Sequence, residues 1–205
     1  MVKVGSIILA AGLSRRMRKP KLLLDFHGKP VISYPVRLAT KHRLYPIILV
    51  VGQYIHQMKE RLSSYENITY LYNPQCEQGM STSLKLGFQS IEGDVDGVLI
   101  FLGDQPCVAN EVIESLVMEF KENREAGIKV VRPRYAGKEG HPILVHKDLF
   151  HEFQLIEGDE GGKSILKKYK DVIQYIDFSI DYWGRDIDTE EDYQNLLHQR
   201  KRHKL

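Results

Sequence analysis

Two groups of residues in this sequence have the types and spacing to do chemistry together. The first lies in IILAAGLSRRMRKPKLL, residues 7–23, where small Ala10, Ala11 and Gly12 follow an apolar run and precede Arg15, Arg16, Arg18, Lys19 and Lys21. Small residues let backbone N–H groups approach an anion, and cations set this closely repel one another unless they face water or negative charge. The pattern suits a phosphate cradle, although neither G-x-x-x-x-G-K-[ST] nor G-x-G-x-x-G is present. The second group is acidic: Asp104 follows the apolar run of VLIFLGDQP, and Asp186 and Asp188 stand in GRDIDTEEDY. Carboxylates are hard oxygen ligands of Mg²⁺, which bridges them to phosphate. Each group also has a plainer reading. The basic loop alone is a solvated glycine turn, Asp104 alone is an Asx turn, and Thr189 with Glu190, Glu191 and Asp192 is a helix N-cap and its acidic first turn. Capping leaves Asp186 and Asp188 unexplained, and they offer the metal a second carboxylate.

Further segments carry weaker signals. NPQCEQGMSTSLKLG, residues 73–87, sets Gly79, Ser81, Thr82 and Ser83 at the start of an apolar helix, where hydroxyls suit either a base or sugar edge or plain capping. EGDEGGKSIL, residues 157–166, puts Gly161 and Gly162 before Lys163 and Ser164, an anion site or a glycine turn. His141, His146 and His151 recur at intervals of five with Pro142 between the first two, so they share no helical face and no metal site is expected of them. Cys76 and Cys107 have no partner at metal-ligand spacing and read as reduced thiols, Cys107 as a small buried residue.

The elements that must position these groups follow from hydropathy. Apolar runs at 4–10, 46–51, 68–72, 97–102, 128–132 and 172–178 alternate with helical periodicity at 83–88, 112–120 and 189–197. That alternation predicts an α/β sheet, and several runs are apolar at consecutive positions, as strands covered on both faces are. With 205 residues, 42% hydrophobic and 27% charged, the chain reads as one domain spanning 1–205. The segment 134–163 interrupts the alternation with glycines and a short strand at 142–146, and is expected to be a substrate-side insertion. A net charge of +2 is too small to argue for nucleic acid or a membrane surface, so anion binding must be local. No apolar run reaches the length of a membrane span and no signal peptide is legible, so a cytoplasmic location is expected. The basic tail HQRKRHKL reads as a solvated helix end.

Taken together and in this order, the motifs resemble the MobA-like nucleotidyltransferases that activate molybdenum cofactor. That family's first motif, LAAG-x-x-x-R-M-G-x-x-K-x-L-L, is met by Leu9, Ala10, Ala11, Gly12, Arg16, Met17, Lys21, Leu23 and Leu24, with Arg18 where a glycine is usual. GMSTSL, GDQP, GHPIL, GDEGGK and DIDTEEDY are similar to its later motifs, so the resemblance runs over nearly the whole chain. It implies a Rossmann-like nucleotidyltransferase fold, three-layer α/β/α with a mostly parallel central sheet. It also implies Mg²⁺-dependent transfer of CMP from CTP to the terminal phosphate of molybdopterin, with release of pyrophosphate. The alanines at 10 and 11 are similar to the cytidylyl branch, whose members serve a molybdenum hydroxylase such as xanthine dehydrogenase. The residues implied are Arg16, Lys21 and Asp104 in catalysis and Asp104 with Asp188 on the metal. Nucleotide contacts fall to Leu9, Ala10, Ala11, Gly12, Lys21, Asn73, Gly79, Ser81, Ser83 and Asp104, and acceptor contacts to Gly140, His141, Pro142, Gly161, Gly162 and Lys163.

Two other readings share these residues. One is a nucleotidyltransferase for a sugar phosphate or other small phosphate, from which only GHPIL and GDEGGK separate the pterin reading. The other is a non-catalytic carrier that hands cofactor to an apo-hydroxylase, which would have no need of Lys21 and Asp104. In the transferase reading the acceptor phosphate is itself the nucleophile, consistent with the absence of a Ser-His-Asp or Cys-His constellation.

Overall fold

Strands with no polar face need cover on both sides, and the computed structural model, which describes residues 2–14, 16–17, 19–156 and 162–202, gives them two helical layers. Strands β1 (Val4–Ala10), β4 (Ile47–Val51), β5 (Ile68–Tyr72) and β6 (Gly97–Leu102) run parallel in the order β5-β4-β1-β6. Successive residues alternate between two cores. Ile8, Leu49, Leu99 and Phe101 point to one, and Ile7, Ile48, Val50, Val98 and Ile100 to the other. The first core is closed by α1 (Ser33–Lys41), α2 (Ile55–Arg61) and α4 (Asn110–Asn123) through Val36, Met58, Val112, Leu116 and Phe120. The second is closed by α3 (Met80–Gln89), α5 (Phe150–Leu155) and α6 (Lys163–Lys168) through Leu84, Phe88, Phe153 and Ile165, with the Phe88 and Phe153 rings stacked at 4.5 Å.

From β1 the chain winds outward through α1 and α2 to β5, then returns through α3, on the opposite face, to β6 on the other side of β1. The carboxyl ends of β1 and β6 therefore form a topological switch point, where open α/β sheets leave a ligand crevice.

The sheet continues through β9 (Ile143–His146) to β7 (Val130–Tyr135) and β10 (Ile173–Phe178), with the two-residue β8 (Lys138–Glu139) on β7. β9 is antiparallel to both β6 and β7. The segment 134–163 is thus more than an insertion, since it supplies a buried strand within the main sheet. The expected strand at 128–132 starts at Val130 and runs to Tyr135. Its arginines obscured the pattern: Arg134 lies 3.7 Å from the Tyr175 ring centroid of β10, and Arg132 pairs with Glu139 of β8 at 2.5 Å. A hairpin of β2 (Asp25–Phe26) and β3 (Lys29–Pro30) follows the basic loop, and α7 (Glu190–Arg202) ends the described chain. Cys107 is buried, as expected. No helix among the described residues is long and apolar enough to cross a membrane.

Candidate active site

Close approach of backbones brings the acidic and basic groups together. Beyond β6, the Gly103 N–H donates to the Leu9 carbonyl at 2.9 Å, and a Cβ at Gly103 would sit 2.8 Å from that same oxygen. Only glycine lets Asp104 stand directly beside the loop that leaves β1. The C-terminal carboxylates are tied to the same point, because the Ile187 N–H donates to the Asp104 carbonyl at 3.0 Å and Gln105 Nε2 to the Gly184 carbonyl at 3.0 Å. Thr189 and Asp192 cap α7 reciprocally: the Asp192 N–H donates to Thr189 Oγ1 at 3.1 Å, and the Thr189 N–H to Asp192 Oδ2 at 2.8 Å. The predicted N-cap is therefore real, and it fixes the backbone just after Asp188. Carboxylate oxygens of Asp104, Asp186 and Asp188 lie within 4.8 Å of one another. Three hard oxygen donors at that spacing fit a divalent cation such as Mg²⁺ or Mn²⁺.

Two cations face this cluster. Lys21 Nζ donates to Asp104 Oδ2 at 2.6 Å and to Asp188 Oδ1 at 3.0 Å, with only 12% of its side chain exposed. Arg16 Nη1 holds the other oxygen of Asp188 at 2.7 Å from a largely exposed position. Burial penalises the Lys21 ammonium, but the Asp104 charge and the hydrogen bonds to both carboxylates outweigh it and raise its pKa. Burial likewise opposes ionisation of Asp188, and is outweighed by the Lys21 hydrogen bond and charge and by Arg16, which lower its pKa. At Asp186 the Lys21 charge and its own backbone N–H are outweighed. Desolvation first, and then the neighbouring Asp104 charge, raise its pKa.

The cluster forms one wall of a cleft of about 450 Å³, whose other walls include Leu9, Ala11, Gly12, Lys21, Gly79 and Ser83. A Cβ on Gly12 would meet no atom within 4 Å, so this backbone is open to the cleft. Leu13, Ser14, Glu77 and Met80 also line it, and sequence reasoning did not single them out; Cys76, read there only as a reduced thiol, lines it too. Ala10 is buried beneath the loop, while Asn73 and Ser81 line a groove along the other side of α3. Asn73 Nδ2 donates to Thr82 Oγ1 and Ser83 Oγ, both at 2.9 Å. Thr82 does not cap α3; its hydroxyl donates to the Gly79 carbonyl. Arg15, Arg18 and Gly161 lie outside the described residues.

A second cavity, about 150 Å³, adjoins the cleft across the shared Leu9 and Met80. Its walls are apolar, from Leu84, Ile100, Ile143 and Phe153, and Arg132, His141 and Lys163 supply its polar groups. Burial, reinforced by the Arg132 charge, pushes the His141 pKa down, so the ring is neutral at pH 7. Pro142 follows through a cis peptide and is buried. Gly162 has φ +99°, and its Cβ would lie 2.9 Å from the Phe153 ring, so packing and backbone conformation account for this glycine. The helix after it, α6, has only six residues.

A further residue went unnoticed in the sequence. Tyr135, at the end of β7, is buried and donates its hydroxyl to the His141 carbonyl at 2.8 Å. A Cβ at Gly140 or at Gly184 would come within 2.4 or 2.1 Å of its ring. The glycine of GHPIL therefore has a packing reason, and one ring supports both the His141 turn and the turn leading to Asp186.

The architecture has counterparts among known proteins. The family model described as MobA-like NTP transferase domain matches residues 6–172. Among curated relatives, the molybdenum cofactor cytidylyltransferase of Escherichia coli (strain K12) is 30% identical over 147 residues, covering 72% of this chain and 72% of that protein. The purine catabolism protein PucB of Bacillus subtilis (strain 168) is 28% identical over 169 residues, covering 78% and 79%. Among solved structures, the homologue of Mycobacterium tuberculosis rv0371c from Mycobacterium sp. strain JC1 superposes with a TM-score of 0.83 at 25% identity, covering 98% of each chain. The chain belongs to the MobA-like NTP transferase family and is a nucleotidyltransferase.

Proposed function

We propose that this protein transfers CMP from CTP to the terminal phosphate of molybdopterin in the presence of Mg²⁺, releasing pyrophosphate, in the maturation of a molybdenum hydroxylase. The observation that carries the reading is the meeting of Asp104, Asp186 and Asp188 with Lys21 at the mouth of a cleft walled by the Gly12 loop. The E. coli relative, named a molybdenum cofactor cytidylyltransferase, supports both CTP and the pterin, and the B. subtilis relative, named a purine catabolism protein, supports a xanthine dehydrogenase-type recipient.

In this reading the triphosphate lies along the Ala11–Gly12 backbone with Lys21 and Arg16 beside it. Asp104 and Asp188 would hold the metal, which would supply positive charge at the reacting phosphates. An acceptor phosphate oxygen attacks the α-phosphorus, and the bond from that phosphorus to the β-bridging oxygen breaks. The negative charge that leaves with pyrophosphate is met by Lys21 and Arg16. The neighbouring cavity takes the acceptor's ring. Its apolar walls suit a flat heterocycle, Arg132 and Lys163 suit an anionic substituent, and neutral His141 has one ring nitrogen free to donate and one to accept. A cytoplasmic setting accords with use of a nucleoside triphosphate.

The test is an acceptor screen at fixed CTP and Mg²⁺, using molybdopterin, several sugar 1-phosphates and buffer, with pyrophosphate as the readout. Release that depends on molybdopterin supports the proposal. Release with a sugar phosphate alone assigns the alternative acceptor, and release with none of them returns the chain to the carrier reading.

A further inference from the structure

The groups around the acidic cluster differ in their freedom to move. The Asp104 backbone is pinned by the wedged Gly103 and the Ile187 hydrogen bond to its carbonyl, and Asp188 by the Thr189–Asp192 cap beside it and by Arg16 on its second oxygen. Lys21 hangs on a four-carbon stem, with its ammonium on the two carboxylate oxygens that face each other, Oδ2 of Asp104 and Oδ1 of Asp188. A divalent cation held between the two aspartates at about 2.1 Å from their oxygens would compete with the ammonium for the space between these carboxylates. An ammonium and a divalent cation repel strongly at such separations. Short side chains on a pinned backbone have little travel, so the long-stemmed lysine is the part that yields, and the space open to it is the cleft it already lines with Gly12 and Ser14.

Building on the metal site and triphosphate cleft proposed above, we propose that Lys21 is an exchange latch. Its ammonium neutralises Asp104 and Asp188 until a divalent cation takes that place, and displacement delivers the ammonium to the triphosphate. Metal and nucleotide binding are thereby coupled through one side chain. Metal alone binds weakly because it must evict Lys21, and triphosphate alone binds weakly because Lys21 is engaged. Each ligand removes a cost from the other. A lysine that serves the phosphates alone would have no reason to sit so nearly buried on both metal-ligand carboxylates.

The full chain, stripped of metal, is titrated with Mn²⁺, and free Mn²⁺ is followed by electron paramagnetic resonance without nucleotide. Lys21→Met is expected to bind Mn²⁺ about tenfold or more tightly than wild type, the scale of one charge–charge interaction after solvent screening. In EDTA, the same variant is expected to bind inorganic tripolyphosphate more weakly. Equal or weaker Mn²⁺ binding by Lys21→Met overturns the latch. A second measurement uses only wild type: acetylation of Lys21 by an amine-reactive reagent, read by mass spectrometry. Mn²⁺ should speed it, and added tripolyphosphate should slow it again; a rate indifferent to Mn²⁺ overturns the latch while leaving the metal site standing. Mn²⁺ binding that is unchanged in Asp104→Asn overturns the metal site and the latch together.

Discussion

Gly184→Ala tests whether the Tyr135 ring supports the metal-side turn. The added Cβ would lie 2.1, 2.6 and 2.8 Å from Cδ2, Cε2 and Cγ of Tyr135, where ordinary contact starts at 3.4 Å. The ring must therefore retreat by about 1 Å or more, which off-rotamer side chains and backbone shifts rarely absorb without loss. Retreat is opposed by the Phe178 ring stacked at 5.9 Å and by the 2.8 Å hydroxyl bond to His141. No left-handed backbone angle is involved at Gly184, so the cost is steric. Overpacking of this kind costs about 1–3 kcal/mol. At about 2–4 °C per kcal/mol for a chain of this size, Tm should fall by roughly 2–12 °C in scanning calorimetry. Because the Gly184 carbonyl accepts from Gln105, and Asp186 is two residues on, Mn²⁺ affinity should fall as well. Tyr135→Leu in the same background should give a double variant less destabilised than the sum of the two single changes. A Tm for Gly184→Ala equal to wild type, or strict additivity in the cycle, would refute the wedge.

Gly103→Ala should lower both stability, by about 1–3 kcal/mol, and nucleotidyl transfer, because its Cβ meets the Leu9 carbonyl oxygen, which is backbone and cannot swing away; a denaturant titration together with pyrophosphate release checks it. Thr189→Ala should cost about 1 kcal/mol through loss of the α7 cap, and should weaken Mn²⁺ binding more than its effect on stability alone explains. Asp96, at the foot of β6, accepts from the Lys3 N–H at 2.9 Å and pairs with Arg124 at 2.7 Å. The Lys3 hydrogen bond, and then Arg124 against the opposing effect of burial, lower its pKa from 3.8. Its stabilisation is therefore present above that ordinary value and is lost as pH falls through the lowered one. Asp96→Ala should cost about 1.5–3 kcal/mol at pH 7 and flatten the acid limb of the stability curve, read by urea unfolding from pH 7 downward.

Much of the α/β plan was written in hydropathy. Strands β1, β5 and β6 fall on the expected 4–10, 68–72 and 97–102, because apolar residues at consecutive positions have few other uses in a short segment. The order of strands was not legible. Nothing local to ILVH says that β9 will pair antiparallel between β6 and β7, since pairing partners depend on tertiary packing rather than on period. β7 ran past its expected end because Arg132 and Arg134 look like loop residues until Glu139 and Tyr175 appear beside them. At the site, chemical type located Lys21, Asp104, Asp186 and Asp188, yet the direct pairing of Lys21 with two aspartates is a long-range contact that no spacing encodes. Tyr135 escaped notice for a similar reason. A tyrosine at the end of a strand carries no signal until two distant glycines close on its ring.

The central claim is that this chain joins CMP to molybdopterin at the Asp104 cleft. The most direct measurement incubates the protein with Mg²⁺, molybdopterin and CTP, GTP, ATP or UTP in turn, and analyses the pterin product by mass spectrometry alongside pyrophosphate. The account predicts a product heavier by one CMP with CTP, one pyrophosphate for each product formed, and near-complete loss of both in Asp104→Asn with Tm retained. A pterin left unchanged under all four nucleotides, or an Asp104→Asn variant that forms the product at the wild-type rate, would contradict it.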